Sequence, residues 1–421
     1  MTTPPFQSVC MVGLGYIGLP TAVVFAKAGT QMIGFDIDQR AVDKINSGET
    51  HIVEPGLDQA LSLVVRSGFL RATTTPAPAD AFLIAVPTPF RENGGKLDPD
   101  LSFVESAART IAPVLKPGDL VILESTSPVG ATESMAQWLA EERPDLSFPH
   151  TAGEASDIRI AHCPERILPG RALEELVTND RIIGGMTPAC ATRARQLYEL
   201  AVRGKCIETD CRTAELAKLT ENSFRDVNIA FANELSLICD RLGIDVWELI
   251  QLANRHPRVN ILQPGPGVGG HCIAIDPWFI VAQAPEEARI IRTAREVNDN
   301  KPEWVISRVR AEIADWMSEN PGGTPRVACF GLAFKANIDD LRESPALSIA
   351  RKLAAQPGIA LQVVEPYVDA LPAGLDGAEL VSAQQASAEA DICVLLVDHD
   401  QFRATRPVTH RLVDTRGAWK S

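Results

Sequence analysis

The sequence has no C-x-x-C pair, few aromatic residues, no excess of positive charge and no long apolar run. The closest two of its nine cysteines are Cys206 and Cys211, a spacing typical of neither a zinc site nor a disulfide framework. We therefore expect reduced thiols, no bound metal and a cytoplasmic protein. The net charge of −14 argues against nucleic-acid and anionic-membrane partners. No apolar run approaches the ~18 residues of a membrane span, and the N-terminal residues do not resemble a signal peptide.

What is present fits a soluble globular protein. Hydrophobic residues make up 45% and charged residues 22% of the 421 positions. This length predicts about two to three domains.

A glycine fingerprint lies near the start of the chain. Gly13-Leu14-Gly15-Tyr16-Ile17-Gly18 follows the apolar run Val9–Val12 and precedes an apolar helix. A second strand-like run, Gln31–Phe35, ends at Asp36. The order strand, glycine loop, helix, strand, acid predicts a dinucleotide site.

Each residue of this fingerprint has a physical role. Gly13 and Gly15 allow a tight turn and a close approach to a pyrophosphate, and Gly18 allows the helix to pack closely on the strand. Asp36 is placed to accept hydrogen bonds from ribose hydroxyls and to repel a 2′-phosphate, which favours NAD over NADP. The alternative is that Asp36 is only a turn residue.

Helix and strand patterns alternate over the first half of the chain. Strand-like runs at Ala81–Val86, Leu120–Glu124 and Ile158–Cys163 are separated by helical stretches, which predicts a doubly wound parallel sheet. Thr213–Leu242 then contains no Gly or Pro, and predicts one helix about 45 Å long. A helix of this length can join two α/β units and present a face to a second subunit, so we expect a homodimer. Further helices are predicted at Val246–Asn254, Glu286–Asn298 and Glu303–Ser318.

The C-terminal third repeats the first pattern without its glycines. After a Pro- and Gly-rich linker, Arg326–Leu332 is similar to the strand that enters the fingerprint, but only Gly331 remains. This unit is therefore a poor dinucleotide site, and its basic residues could hold another nucleotide. We predict an α/β protein with two Rossmann-like doubly wound parallel-sheet domains, residues 1–211 and 320–421, joined by a central helical domain, residues 212–319.

The second informative segment is a glycine-rich loop that ends in a thiol. Pro264–Cys272 carries four glycines, and Asp276 follows four residues after Cys272. Hydride transfer from an alcohol needs no thiol, whereas a thiolate traps an aldehyde product for a second oxidation. The alternative is that Cys272 is a small buried hydrophobe.

Two polar groups precede this loop. Lys218, Asn222 and Arg225 share one face of the long helix, as either a functional or a solvated stripe. Arg255–Arg258 adds positive charge before the loop, which a diphosphate-bearing substrate would explain.

Seven blocks in one order give a resemblance to a known family. The chain resembles the UDP-glucose/GDP-mannose dehydrogenase family over essentially its whole length. The blocks are Val12–Pro20, Ala85–Pro89, Glu124–Gly130, Cys163–Gly170, Ala214–Glu234, Asn254–Asp276 and Phe330–Pro345.

The resemblance implies a role for each matching residue. Cys272 is the implied nucleophile and Lys218 the general acid/base or oxyanion partner, while Asn222 and Asp276 orient Lys218 and water. Glu165 and Thr126 are implied beside the thioester. The implied NAD contacts, besides the glycines, are Tyr16, Ile17, Asp36, Thr88, Thr126 and Arg342. The implied UDP-sugar contacts, besides Lys218 and Asn222, are Arg166, Ile167, Arg225, His256, Arg258, Gly269, Lys335 and Arg416.

The loop departs from the UDP-glucose branch of the family. That branch has a Phe where this chain has Val268 and a Lys where it has Ile275, and here His271 directly precedes the thiol. These departures favour an N-acetylated hexosamine over glucose. The alternatives are the same chemistry on another UDP-sugar, or an NAD-binding regulator without activity.

Overall fold

The computed structural model describes residues 6–93, 96–167, 170–270 and 272–419, which form two compact units, Met1–Thr220 and Glu221–Ser421. His271 lies outside the described residues. In the first unit the strands are β1 (Ser8–Val12), β2 (Gln31–Phe35), β3 (Leu70–Thr73), β4 (Ala81–Ile84), β5 (Phe90–Asn93), β6 (Lys96–Pro99), β7 (Leu120–Leu123), β8 (Arg159–His162), β9 (Arg181–Gly185) and β10 (Cys206–Asp210). Its helices are α1 (Gly18–Lys27), α2 (Gln39–Ser47), α3 (Leu57–Arg66), α4 (Ser102–Ile111), α5 (Ala131–Glu142), α6 (Pro149–Ala152), α7 (Ala172–Thr178) and α8 (Pro188–Tyr198).

The main sheet of the first unit is doubly wound, as predicted. The described strands follow the order β10-β9-β8-β7-β4-β1-β2-β3, and every neighbouring pair is parallel except β8 with β9. β4 and β7 are buried along their whole length and purely apolar, because helices cover both faces of the sheet. The carboxyl ends of β1, β4 and β7 lie at one edge, where ligands of such folds bind.

The second unit joins long helices to a smaller parallel sheet. The helix α9 (Cys211–Leu242) crosses from the first unit into the second, and α10 (Val246–Ala253), α11 (Asp276–Gln283) and α12 (Arg289–Glu319) follow. The described strands of its sheet follow the order β13-β12-β11-β14-β15, all parallel. They are β11 (Arg326–Phe330), β12 (Ala360–Val364), β13 (Glu379–Leu380), β14 (Ile392–Leu395) and β15 (Leu412–Asp414), with helices α13 (Pro345–Ala354), α14 (Ala383–Glu389) and α15 (Asp400–Arg403).

The two sheets repeat one local arrangement, so the predicted similarity of their first strands is confirmed. After β1 the backbone N–H of Leu14 donates to Asp36 at the end of β2, at 2.8 Å. After β11 the N–H of Leu332 donates to Glu365 at the end of β12, at 2.6 Å. The predicted fold class, with two Rossmann-like sheets and a long central helix, is confirmed.

The long helix α9 buries polar side chains and exposes apolar ones. It begins two residues before the predicted start, and Asp210 rather than Thr213 caps it, since Asp210 accepts the backbone N–H of Thr213 at 2.9 Å. Its buried polar residues are Glu215, Lys218, Asn222, Asp226, Asn233 and Ser236, and its exposed apolar residues are Leu216, Phe224, Phe231, Ile238 and Leu242. At 100° per residue these two sets lie on opposite faces of the helix.

The helix α12 differs from the prediction. Two helices were expected to meet near Lys301, but one helix of 31 residues runs through Pro302. A proline within a helix removes one backbone hydrogen bond. The apolar residues that follow, including Val305, Val309 and Ile313, are buried against the second unit's core and hold the helix together. No helix in the described ranges is long and apolar enough to span a membrane.

Candidate active site

The glycine turn after β1 leaves room for a ligand. Gly13 has a φ of +89°, and a Cβ there would lie 2.4 Å from the carbonyl oxygen of Ala85. A Cβ at Gly18 would lie 1.8 Å from the carbonyl oxygen of Gly13, so neither position accepts a larger residue. A Cβ at Gly15 would meet nothing within 4 Å. The packing therefore requires two of the glycines, and the third leaves the open approach that a pyrophosphate needs.

Asp36 faces this turn from the end of β2. One oxygen accepts the N–H of Leu14 at 2.8 Å and the other accepts the N–H of Asp38 at 2.9 Å. An ionised carboxylate accepts about four hydrogen bonds, so capacity remains for ribose hydroxyls. This geometry fits NAD. Tyr16, 48% exposed, and Ile17 lie in the same turn just before α1.

The loops after β4 and β7 are bonded to each other at the same edge of the sheet. The hydroxyl of Thr88 donates to the carbonyl oxygen of Thr126 at 2.5 Å. The hydroxyl of Ser125, which sequence reasoning missed, accepts the N–H of Val86 at 2.9 Å. The structure thus brings together two predicted NAD contacts that lie in different sequence blocks.

Glu165 is buried in a charged cluster. Its carboxylate accepts from the guanidinium of Arg181 and from the backbone N–H of Arg166, each at 2.6 Å. Behind it the hydroxyl of Tyr198 donates to Glu124 at 2.6 Å, and burial raises the pKa of the Glu124 carboxyl to about 7. Arg181 and Glu165 thus form a buried ion pair. Sequence reasoning missed this cluster because its members are far apart along the chain.

Arg166 and Ile167, two of the predicted substrate residues, directly follow Glu165 in the chain, and a third, Lys218, lies on α9. The guanidinium of Arg166 donates to the carbonyl oxygen of Asp180, and Ile167 follows it in the loop after β8. Lys218, only 8% exposed, lies on α9 one turn before Asn222. A lysine so little exposed on a polar helix face is typical of a functional amine rather than a solvated stripe.

The structure brings two of the predicted catalytic residues, Asn222 and Asp276, into direct contact. The amide nitrogen of Asn222 donates to the carboxylate of Asp276 at 2.5 Å, and both side chains are buried. Asp276 begins α11, and its own N–H donates to the carbonyl oxygen of Cys272 at 2.8 Å. Cys272 is exposed, so the alternative of a buried hydrophobe is wrong. The thiol lies in a turn whose end is fixed to α9.

The glycine loop before Cys272 packs on the second sheet's first loop. A Cβ at Gly269 would lie 2.5 Å from the carbonyl oxygen of Glu343, and one at Gly270 would lie 3.1 Å from the ring of Phe334. Lys335 directly follows Phe334 in the chain. The structure thus brings the thiol-bearing loop and the segment of Lys335 together.

Five more predicted site residues lie in the second unit. Arg416 donates to Asp398 at 2.8 Å, and its guanidinium would lie 2.7 Å from a Cβ at Gly265, so it adjoins the glycine loop. Arg342 bonds Asp340 at 2.6 Å. His256 accepts the N–H of Arg258 at 3.3 Å in an exposed turn, and Arg225 is exposed on α9.

None of the nine cysteines, all of which lie in the described ranges, forms a disulfide. No group of three or more His, Cys, Asp or Glu residues in the described ranges could hold a metal ion.

Comparison with known proteins gives matches along nearly the whole chain. The models of the UDP-glucose/GDP-mannose dehydrogenase family match as its NAD binding domain over residues 7–202, its central domain over 212–300 and its UDP binding domain over 328–421. An NDP-N-acetyl-D-galactosaminuronic acid dehydrogenase of Ralstonia nicotianae is 64% identical, covering 99% of this chain and 97% of that protein. A UDP-N-acetyl-D-mannosamine dehydrogenase of Escherichia coli is 61% identical, covering 99% of this chain and 100% of that protein.

Solved structures show the same similarity. The UDP-D-ManNAc dehydrogenase of Pyrococcus horikoshii is 38% identical with a TM-score of 0.87, covering 98% of this chain and 96% of that one. The UDP-N-acetyl-mannosamine dehydrogenase of Staphylococcus aureus is 42% identical with a TM-score of 0.82 and the same coverage.

Proposed function

We propose that this chain, which belongs to the UDP-glucose/GDP-mannose dehydrogenase family, oxidises the C6 hydroxyl of UDP-N-acetyl-D-mannosamine to a carboxylate. The product is UDP-N-acetyl-D-mannosaminuronate, and each turnover consumes two NAD and one water. The observation that carries the proposal is the exposed thiol of Cys272, which lies in a turn fixed to Asn222 through Asp276. A dehydrogenase that stops at the aldehyde has no use for this thiol.

The NAD site consists of the glycine turn, Asp36 and the bonded loops of Thr88 and Thr126. NAD, when bound, accepts the hydride of each oxidation. Asp36 holds the ribose hydroxyls, and Gly15 leaves space for the pyrophosphate. The remaining proposed contacts are Tyr16, Ile17 and Arg342.

Cys272 divides the reaction into two oxidations and one hydrolysis. Its thiolate attacks the C6 aldehyde, which forms a C–S bond and turns the carbonyl oxygen into an alkoxide. Loss of hydride from this thiohemiacetal gives a thioester. Water then attacks the thioester carbon, the C–S bond breaks and the thiolate is restored.

The surrounding side chains manage protons and charge. Lys218 stabilises the alkoxide and the oxyanion through its positive charge. Asp276, Glu165 and Thr126 orient the hydrolytic water, and Asn222 fixes Asp276. Glu165, whose carboxylate pairs with Arg181, acts as a hydrogen-bond acceptor for this water.

The UDP-sugar lies against the cationic segments. Arg416 and the segment of Lys335 adjoin the glycine loop and are suited to the diphosphate, and Gly269 in that loop is a further proposed contact. The other proposed contacts are Arg166, Ile167, Arg225, His256 and Arg258. This assignment follows the division into an NAD domain (1–211), a central domain (212–319) and a UDP-sugar domain (320–421).

Two observations support the N-acetylated sugar. Val268 and Ile275 differ from the UDP-glucose branch, and the relatives above are named for N-acetylated sugars or their acids. The 64% identity to the Ralstonia protein favours UDP-N-acetyl-D-galactosamine as the second candidate. UDP-N-acetyl-D-glucosamine and UDP-glucose are the remaining alternatives. A regulator without activity needs neither Cys272 nor Lys218.

A substrate panel tests the choice of sugar. Purified protein is assayed with the UDP-linked forms of N-acetylmannosamine, N-acetylgalactosamine, N-acetylglucosamine and glucose, and kcat/KM is compared. We expect the N-acetylmannosamine substrate to exceed each of the others by about tenfold or more, which corresponds to ~1.4 kcal/mol of transition-state binding. A higher kcat/KM for the galactosamine substrate would replace the first candidate with the second.

The proposal also covers the oligomeric state and the cellular location of the enzyme. The exposed apolar face of α9 pairs two copies into a homodimer, and the enzyme works in the cytoplasm on a soluble nucleotide sugar. Its product supplies bacterial surface polysaccharide.

A further inference from the structure

A row of buried amide groups connects α9 and α12 to the glycine loop. Asp226 accepts from Arg295 at 2.7 Å and from the amide nitrogen of Asn298 at 2.8 Å. The amide oxygen of Asn298 accepts from Asn233 at 2.8 Å. The amide oxygen of Asn233 accepts the backbone N–H of Gly265 at 2.9 Å. All four residues are at most 1% exposed, so water does not compete for these bonds.

The two ends of this row fix its direction. The backbone N–H of Gly265 can only donate, and the carboxylate of Asp226, paired with Arg295, can only accept. Each amide between them therefore has one possible orientation, with the oxygen of Asn233 towards the loop. If Asn298 is removed, the amide of Asn233 loses the bond that holds this orientation.

The helix α12 also touches the loop with its backbone. Pro302 has no N–H to donate to the carbonyl of Asn298, four residues before it. That carbonyl oxygen would lie 3.3 Å from a Cβ at Gly267. Asn298 thus contacts the loop at Gly267 and, through Asn233, at Gly265.

The long helix holds both ends of the stretch that carries the thiol. Asn222 and Asn233 are 11 residues apart on α9, so they differ by only about 20° around its axis. Asn233 bonds Gly265 at the start of the stretch, and Asn222 bonds Asp276 at its end. Cys272 lies between the two bonds.

We propose that Asn233 and Asn298 are positioning residues for Cys272. They fix the start of the thiol-bearing loop as Asn222 fixes its end, and so set the distance from the thiol to the C6 aldehyde. The inference rests on the proposed role of Cys272 as the nucleophile. A displacement of roughly 1 Å costs about 10²-fold in rate, whereas binding of NAD uses other residues.

The test is a double-mutant cycle with Asn233→Ala and Asn298→Ala. The readouts are kcat and KM for the UDP-sugar, NADH formed per sugar consumed, and the rate at which iodoacetamide alkylates Cys272, followed by peptide mass. We expect kcat to fall by 10- to about 100-fold in Asn233→Ala with KM little changed. The alkylation rate should change, and NADH per sugar should fall below two because aldehyde escapes.

The second variant separates the effect of the Asn233–Asn298 bond from that of the Asn233–Gly265 bond. Asn298→Ala leaves both partners of the Asn233–Gly265 bond in place and should still lower kcat. In the Asn233→Ala background, Asn298→Ala should have no further effect on kcat, because the effects of coupled residues are not additive. Asn300→Ala is the matched control. Asn300 is an exposed residue two positions further along α12, and its amide nitrogen donates to the carbonyl oxygen of Glu296 in the same helix, at 2.8 Å. This substitution should change nothing.

Two results would overturn the inference. Unchanged kcat and alkylation in folded Asn233→Ala, or in Asn298→Ala should the first variant not fold, would remove the positioning role. A raised KM with unchanged kcat would make these residues part of substrate binding instead. If the wild-type protein itself yields one NADH per sugar, it is the proposed function that fails rather than this inference.

Discussion

At the scale of single residues, the proposed chemistry depends most on the thiol of Cys272. Cys272→Ser keeps the size of the side chain but replaces the thiol with a hydroxyl of much higher pKa. We expect uronate formation to fall by about 10³-fold or more, as for other lost nucleophiles, while NAD and UDP-sugar still bind. Product analysis by chromatography and titration calorimetry measure the two effects.

The matched control for this variant is Cys206→Ser, at a cysteine in an edge strand of the first unit. It should retain normal turnover. Near-normal uronate formation by Cys272→Ser would rule out covalent catalysis through this residue.

Asp36 is expected to set the choice between NAD and NADP. Asp36→Asn removes the negative charge that repels a 2′-phosphate but keeps one oxygen to accept the N–H of Leu14. The preference for NAD, measured as the ratio of kcat/KM values, should fall by about tenfold or more, ~1.4 kcal/mol. Asp38→Asn, an exposed carboxylate that bonds Arg40, is the control and should leave the ratio unchanged. An unaltered ratio in Asp36→Asn would place the ribose elsewhere.

Glu124 should make the stability of the first unit depend on pH. Burial raises its pKa from 4.5 to about 7, so the folded state binds a proton that the unfolded state releases. The contribution of Glu124 to the free energy of unfolding is therefore largest below pH 4.5, the unfolded pKa, and decreases by about 3 kcal/mol in all as the pH rises through about 7. Glu124→Gln should lose this dependence, and its Tm should fall less than that of the wild type between about pH 5 and pH 8.

The control for this prediction is Glu49→Gln at an exposed position. Its Tm should follow the wild type at every pH. Parallel Tm curves for the wild type and Glu124→Gln would show that the buried carboxyl does not titrate in this range.

At the scale of elements, we expect α9 to serve two functions on opposite faces. Its buried face carries Lys218, Asn222 and Asn233, whereas Phe224 and Phe231 are 69% and 52% exposed on the other. Exposed phenylalanines at heptad spacing are typical of a helix that pairs with a second copy. Phe231→Glu should therefore convert the expected dimer to monomer, as measured by light scattering at micromolar concentration.

The comparison for this variant is Leu63→Glu, which charges an exposed leucine on α3 in the first unit. It should remain dimeric. A wild-type protein that is monomeric under the same conditions would contradict the role of α9.

The elements were predictable where the local pattern decides the structure. The strand Gln31–Phe35 and the helix to Leu242 follow from hydrophobic runs bounded by Gly and polar residues. The continuity of α12 through Pro302 was not, because burial of later residues outweighs the lost hydrogen bond. The same holds for the site. Asn222 and Asp276 were predictable because they lie in sequence blocks that resemble the family, whereas Arg181 and Asn298 were not, because they bond residues far away in the sequence.

At the scale of the whole molecule, a proposed dinucleotide site and a proposed nucleophilic thiol occur in one chain of 421 residues. We therefore expect both oxidations to take place before the product leaves. The most direct measurement is the amount of NADH formed per UDP-N-acetyl-D-mannosamine consumed, with an aldehyde trap in parallel. We expect two NADH per sugar and no trapped aldehyde, and one NADH per sugar with aldehyde released would contradict covalent catalysis through Cys272.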